Sequence, residues 1–283
     1  SKINLLKDEV SEKIIEKEKF FYDKVVNDKL NSEYIDITIP ERKENVGTIH
    51  PMSKVMKELE EIFVNMGFVM ADGFEIDDDW HCFEALNFPP YHPARQMQDT
   101  FFMPDSKDIE NIILRTHTTS NDVREMEKGT PPFKLFSLGK TFRREMDATH
   151  SPMFHQLDGL HVDKNINMGH LKGCLLEFLE KFFEVKNLKM RFRPSYFPFV
   201  EPGIEIDIQC SKEKGIIKIG EGEDWVEILG AGMAHPNILK SVNIDPNEYT
   251  GYAFGAGIER LAMLKYGVSD IRMLYDGDLR FLK

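Results

Sequence analysis

Two short runs of two-residue periodicity, separated by a polar loop, constrain this chain more than any other feature. In the first, Thr141, Arg143 and Glu145 fall on one side with Phe142 opposite; in the second, Gln156, Asp158 and Leu160 share a side. Paired as a hairpin, they predict a sheet face carrying Arg143, Glu145, Gln156 and Asp158. An antiparallel sheet often turns one polar face to water, and such a face needs no ligand to explain it. The connection argues for more. Asp147-Ala148-Thr149-His150-Ser151-Pro152 lacks the Asn-Gly or Asp-Gly of a minimal turn, and a histidine sits within it. A long loop with a histidine, over a sheet face that holds an arginine, suits an anionic ligand.

The length of 283 residues, 41% hydrophobic, allows one large domain with an appendage. No run of eighteen apolar residues and no charged-then-apolar leader opens the chain, so a soluble cytoplasmic protein is expected. Cys82, Cys174 and Cys210 are too far apart for a CxxC metal site and odd in number for a disulfide framework. His150, His155 and His161 have no neighbouring cysteine or HExxH spacing, which argues against zinc. A net charge of -12 excludes a generic nucleic-acid binder, because phosphate contacts need clustered Lys and Arg. Any nucleic-acid substrate would need most of its backbone held by another chain.

Residues 1 to about 30 show a helical stripe, Ile3, Leu6, Val10, Ile14, Phe21 and Val25. Ile35 to Ile39 alternates as a short extended segment, and a polar linker follows to Gly47. Pro51 suits the first turn of a helix that carries Val55, Leu59, Ile62, Phe63 and Met66 and stops at Gly67. Leu114-Arg115-Thr116-His117-Thr118-Thr119-Ser120 leads into a helix capped by Ser120 or Asn121. An apolar helix between Asn167 and Val185 reads as core. Strands follow near 204–210, 216–219 and 225–229, with Phe197-Pro198-Phe199 placing two rings on one side. Gly230-Ala231-Gly232-Met233 would let a ligand approach the backbone. The GxG of Phe254-Gly255-Ala256-Gly257 invites a dinucleotide reading, but the third glycine and a following ribose-binding acid are missing.

Phe142-Arg143-Arg144-Glu145, the loop, and Phe154-His155-Gln156-Leu157-Asp158-Gly159 resemble motif 2 of class II aminoacyl-tRNA synthetases. The string GKTFRREMDATHSPMFHQLDGL is similar in detail to bacterial phenylalanyl-tRNA synthetase alpha subunits. The helix from Pro51, then a strand-like run, then Asn87-Phe88-Pro89 resemble motif 1, and Gly251 to Leu261 resembles motif 3. Tyr91-His92-Pro93-Ala94-Arg95 resembles the signature after motif 1 in phenylalanyl enzymes. The resemblance covers about residues 35 to 283. It implies an α+β class II synthetase catalytic fold, a central antiparallel sheet flanked by helices, with an N-terminal helix. The catalytic domain would span 47–283, and residues 1–46 would be the remnant of a tRNA-contacting helical hairpin.

The same resemblance implies activation of phenylalanine by ATP and its transfer to tRNA, with Mg2+ present. Arg143, whose planar fork suits bidentate anion binding, would hold the substrate carboxylate and the α-phosphate together. Glu145 would accept from adenine, Phe154 and Arg260 would sandwich the ring, His150 would contact the outer phosphates, and Glu201 would ligate magnesium. His117, Thr119, Gln156 and Asp158 would grip the ammonium and carboxylate of phenylalanine, Asp158 being shorter than the glutamate usual there. Phe197, Phe199, Val200, Ala253 and Gly255 would form the side-chain pocket. The implied partner is a beta subunit, which carries editing, in an (αβ)2 assembly. The rivals are an enzyme charging another amino acid and a synthetase-like regulator that binds amino acid without activating it.

Overall fold

The computed structural model describes residues 2–33, 36, 38, 47–95, 99–104, 111–144, 150–213, 216–278 and 282. By internal contacts the chain divides into Ser1–Gly47 and Thr48–Lys283. The first unit contains helix α1, Lys2–Ser32, with no buried residue, so its apolar stripe is exposed along its whole length. The extended segment expected at Ile35 to Ile39 falls largely outside the described residues.

The second unit is built on an eight-stranded sheet. Its strands are β1 (Val69–Met70), β4 (Phe133–Phe142), β5 (Met153–Asp163), β6 (Met190–Phe197), β7 (Val200–Glu213), β8 (Ile216–Ile219), β9 (Asp224–Ala234) and β10 (Thr250–Gly257). They run in the order β1-β4-β5-β10-β9-β7-β6, with β8 also paired to β7. All pairs are antiparallel except β1 with β4, so the sheet is mixed at one edge rather than uniformly antiparallel. A separate small pair joins β2 (Ile76–Asp78) to β3 (Ile112–Leu114).

Period-two alternation gives the large sheet two different faces. One packs on helices α2 (Pro51–Asn65), α4 (Met168–Phe183) and α6 (Ile258–Tyr266), whose Leu59, Phe63, Leu175, Phe178 and Leu261 meet Phe136, Leu157, Ile206 and Phe254 from the strands. Phe63 lies at the centre, within 5.7 Å of the rings of Phe68, Phe136, Phe178 and Phe254. The cap residues explain where these helices start and stop. His50 accepts from Met52 N ahead of Pro51, Asn167 accepts from Gly169 N, and Gly267 at φ 68 ends α6.

The other face is only partly covered. A π-helical turn at Trp80–Glu84, α3 (Ser120–Lys128) and α5 (Pro236–Ser241) bury Leu135, Leu160 and Val162 against Cys82, Phe83, Val123 and Leu239. Leu160, on the same side as Gln156 and Asp158, is therefore core. The remainder of that face stays open and forms the site.

Candidate active site

The strand register assembles the floor. On β5, Asp158 lies opposite Ser137 of β4 and Gly255 of β10, and Gln156 lies opposite Gly139 and Gly257. A Cβ at Gly255 would sit 2.7 Å from Asp158 Oδ1 and 3.0 Å from Gln156 Nε2, so only glycine leaves those groups in place. Gln156 Nε2 donates to Asp158 Oδ1 at 3.2 Å, and the Thr118 hydroxyl donates to Oδ2. Burial pushes the Asp158 carboxyl up to about 6, against the pull of the bonds from Thr118 and Gln156. Thr118 was not among the predicted site residues; its partner is 40 positions away, and no local spacing joins them.

The segment Arg115 to Thr119 forms a wall over this floor. Arg115 Nε donates to Lys140 O at 2.8 Å, which ties the segment to β4. His117 lies nearly parallel to Phe88, centroids 5.9 Å apart. Burial, reinforced by Arg143, lowers the His117 ring to about 3, so the imidazole is neutral. Thr119 is buried at the start of α3 but makes no capping bond. The expected cap from Ser120 or Asn121 is not there: Asn121 Nδ2 bonds Ser137 Oγ at 3.3 Å instead, because the helix begins against a buried face with its own polar groups to satisfy. Among the described residues, Thr116 Oγ1 and Gln156 Oε1 are buried without a hydrogen-bond partner, and the His117 ring has only the Cys82 backbone.

An open cleft of about 380 Å3 lies against this wall, lined by Phe88, His92, Thr116, His117, Arg143, Tyr196, Phe197 and Phe199 among others. Phe197 and Phe199 are stacked at 5.9 Å, as their spacing predicted. Asn87 Nδ2 donates to Pro198 O at 2.8 Å and pins the turn between them. A Cβ at Gly230 would come within 2.9 Å of the Phe197 ring, so this glycine makes room for the aromatic wall rather than for a ligand at the backbone. Ala253 and Phe199 each pack against the second core, but only Phe199 lines the cleft, and Val200 is buried.

A second cavity, about 120 Å3, is lined by Arg143, His150, Ser151, Phe154, Gly257, Glu259, Arg260 and Ile271. Three of the groups predicted to surround ATP besides Arg143, namely His150, Phe154 and Arg260, meet here. Arg143 is common to both cavities. Strand β4 ends at Phe142, but Arg143 N still donates to Pro152 O at 3.0 Å, so the hairpin pairing that the alternation predicted runs on through Arg143. Arg143 Nε donates to Thr116 O at 3.2 Å, and its guanidinium lies 5.0 Å from the Phe154 centroid. Arg260 Nε donates to Glu227 O at 2.7 Å. Glu145 lies outside the described residues. Glu201 lines neither cavity: its side chain is 74% exposed and Oε2 is 3.2 Å from His235 Nε2.

One acid of the second cavity is fully engaged. Glu259 accepts from His155 N at 2.8 and 3.0 Å, lies 2.8 Å from His155 Nδ1, and accepts from the Tyr275 hydroxyl. It thereby locks the start of β5 to α6 and to the C-terminal turn. This role escaped sequence reasoning, since His155 and Glu259 are 104 positions apart.

The family model for the class II core domain of tRNA synthetases, F type, matches residues 34–283. The chain belongs to that family. Its phenylalanine–tRNA ligase alpha-subunit relatives include those of Rhodospirillum rubrum, 49% identical over 99% of this chain and 78% of the relative, and Beijerinckia indica, 50% identical with the same coverage. The alpha subunit of Rickettsia canadensis is 48% identical, over 100% of this chain and 78% of its own. The fold is also that of pyrrolysyl-tRNA synthetase from Desulfitobacterium hafniense, with a TM-score of 0.59 at 17% identity, covering 92% of this chain and 81% of the other. Among the described residues no helix is long and apolar enough to cross a membrane.

Proposed function

We infer that this chain is the catalytic alpha subunit of a phenylalanine–tRNA ligase, and that its two cavities hold phenylalanine and ATP on either side of Arg143. The observation that carries this reading is that one guanidinium lines both. In activation, a carboxylate oxygen of phenylalanine attacks the α-phosphorus of ATP, the bond to the β-phosphate breaks, and pyrophosphate leaves. No side chain needs to form a covalent bond; positioning and charge stabilisation supply the rate. Arg143, fixed by the Thr116 carbonyl, brings the two anions together. In transfer, a ribose hydroxyl at the tRNA terminus attacks the carbonyl carbon of the adenylate and AMP departs.

Asp158 and Gln156 receive the ammonium, with Thr119 beside them, while neutral His117 donates to the carboxylate. Phe197 and Phe199 hold the ring, backed by Val200 and Ala253, over the floor at Gly255. Phe154 and Arg260 enclose adenine, where a planar guanidinium stacks better than an ammonium; Glu145 accepts from its amino group, and His150 meets the outer phosphates. Magnesium keeps several waters and takes one or two carboxylates besides substrate phosphates. Glu201 fits as such a ligand, being largely exposed with only one oxygen engaged. When bound, the ion neutralises phosphate charge.

An apolar pocket rejects an added hydroxyl by only about a hundredfold. Tyrosine therefore needs removal elsewhere, and a beta subunit in an (αβ)2 assembly supplies both editing and, given the net charge of -12, most of the tRNA contacts. The N-terminal unit, a helix with an exposed apolar stripe, belongs to a tRNA-contacting hairpin. Phenylalanine-dependent ATP–pyrophosphate exchange by the chain co-expressed with its beta partner tests the reading. Exchange that another amino acid supports better, or no exchange at all, would sink it.

A further inference from the structure

We propose that Thr116 is a further substrate-binding residue: its hydroxyl donates a hydrogen bond to the phenylalanine carboxylate, and its carbonyl holds Arg143 in reach of the same group. The inference rests on reading the larger cleft as the amino-acid site. Thr116 lines that cleft together with Arg143 and His117. Its carbonyl accepts from Arg143 Nε at 3.2 Å, and both residues line the cleft. The residue is 5% exposed, yet Oγ1 has no hydrogen-bond partner among the described residues.

A buried hydroxyl left unpaired costs stability, and folded proteins rarely retain one without cause. Here the unpaired Thr116 Oγ1 belongs to a residue that lines the cleft with His117 and Arg143, where the carboxylate of an amino acid would supply the missing acceptor. The branched Cβ of threonine restricts χ1, so the hydroxyl is held ready rather than recruited from solvent. Serine would keep the donor with more rotamer freedom. Valine would keep the shape and the backbone carbonyl and lose only the donor.

The test compares T116V and T116S in the complex with the beta subunit, reading exchange kinetics and thermal stability together. For T116V, kcat/KM for phenylalanine should fall about tenfold or more, as for a lost bond to a charged group, with KM for ATP little changed. Its melting temperature should equal or exceed that of wild type, because no protein partner is lost. T116S should recover to within about threefold. T116V retaining wild-type kcat/KM would overturn the proposal. So would a T116V that unfolds or melts lower as it loses activity, because the hydroxyl would then belong to the protein's own network. If wild type itself showed no phenylalanine-dependent exchange, the functional reading would fail first, and the valine result would not be blamed for it.

Discussion

Two buried acids of the catalytic domain are treated in opposite ways. Glu259 has both oxygens engaged by His155, with Tyr275 added to one of them. Asp158 is held by Thr118 and Gln156, and Oε1 of that same glutamine has no partner among the described residues. The physical lesson is that a saturated network fixes the frame, while a half-finished one marks where a ligand completes it.

The comparison breaks most visibly at Glu259. Glu259→Ala strands the His155 backbone N–H and removes the acceptor of the Tyr275 hydroxyl, and should destabilise the domain by about 3–5 kcal/mol, read from denaturant unfolding. A loss below about 1 kcal/mol would mean the clamp is not what holds β5 to α6.

At Asp158 the sign should reverse. Its unfolded pKa is about 3.9 and its folded one about 6, so ionising it opposes folding. That cost is absent below about pH 4, grows between about pH 4 and 6, and is complete above, reaching at most about 3 kcal/mol for roughly two units. Asp158→Asn should therefore be more stable than wild type at pH 8, equal to it at pH 4, and unable to activate phenylalanine. In wild type the KM for phenylalanine should rise as pH falls below about 6. A variant less stable than wild type at pH 8 would show Asp158 to be structural after all.

Arg143→Lys sharpens the contrast without touching either acid. It keeps the charge and loses the fork, so exchange should fall about thirtyfold, or about 2 kcal/mol, with an unchanged melting temperature. The smallest effect belongs to Ala253→Gly. Removing one methyl that packs against the second core should cost under about 1 kcal/mol and admit para-substituted phenylalanines in the exchange assay. Unaltered selectivity would remove Ala253 from the pocket.

Much of this was legible in the residues. Period-two alternation placed Gln156 and Asp158 on one face, proline and glycine signals bounded α2, the apolar pattern bounded α4, and the Phe197 and Phe199 spacing gave a paired wall. The alternation also held at Arg143, whose N–H donates to Pro152 O one position past the end of β4. What failed was a cap read from residue type alone: Ser120 and Asn121 stand at a helix start, yet Asn121 turns its side chain to Ser137 on the neighbouring strand. The pairs that tune the site, Thr118 with Asp158 and His155 with Glu259, join residues that only the sheet order brings together. Nothing in their spacing announces them.

A shared wall has a thermodynamic corollary. The guanidinium at position 143 borders both chambers, so an occupant on one side orders the side chain for the other. Linkage then requires reciprocity: whatever factor ATP contributes to phenylalanine affinity, phenylalanine returns to ATP. Synergy between the two small substrates is thus written into a single side chain, without any domain having to move.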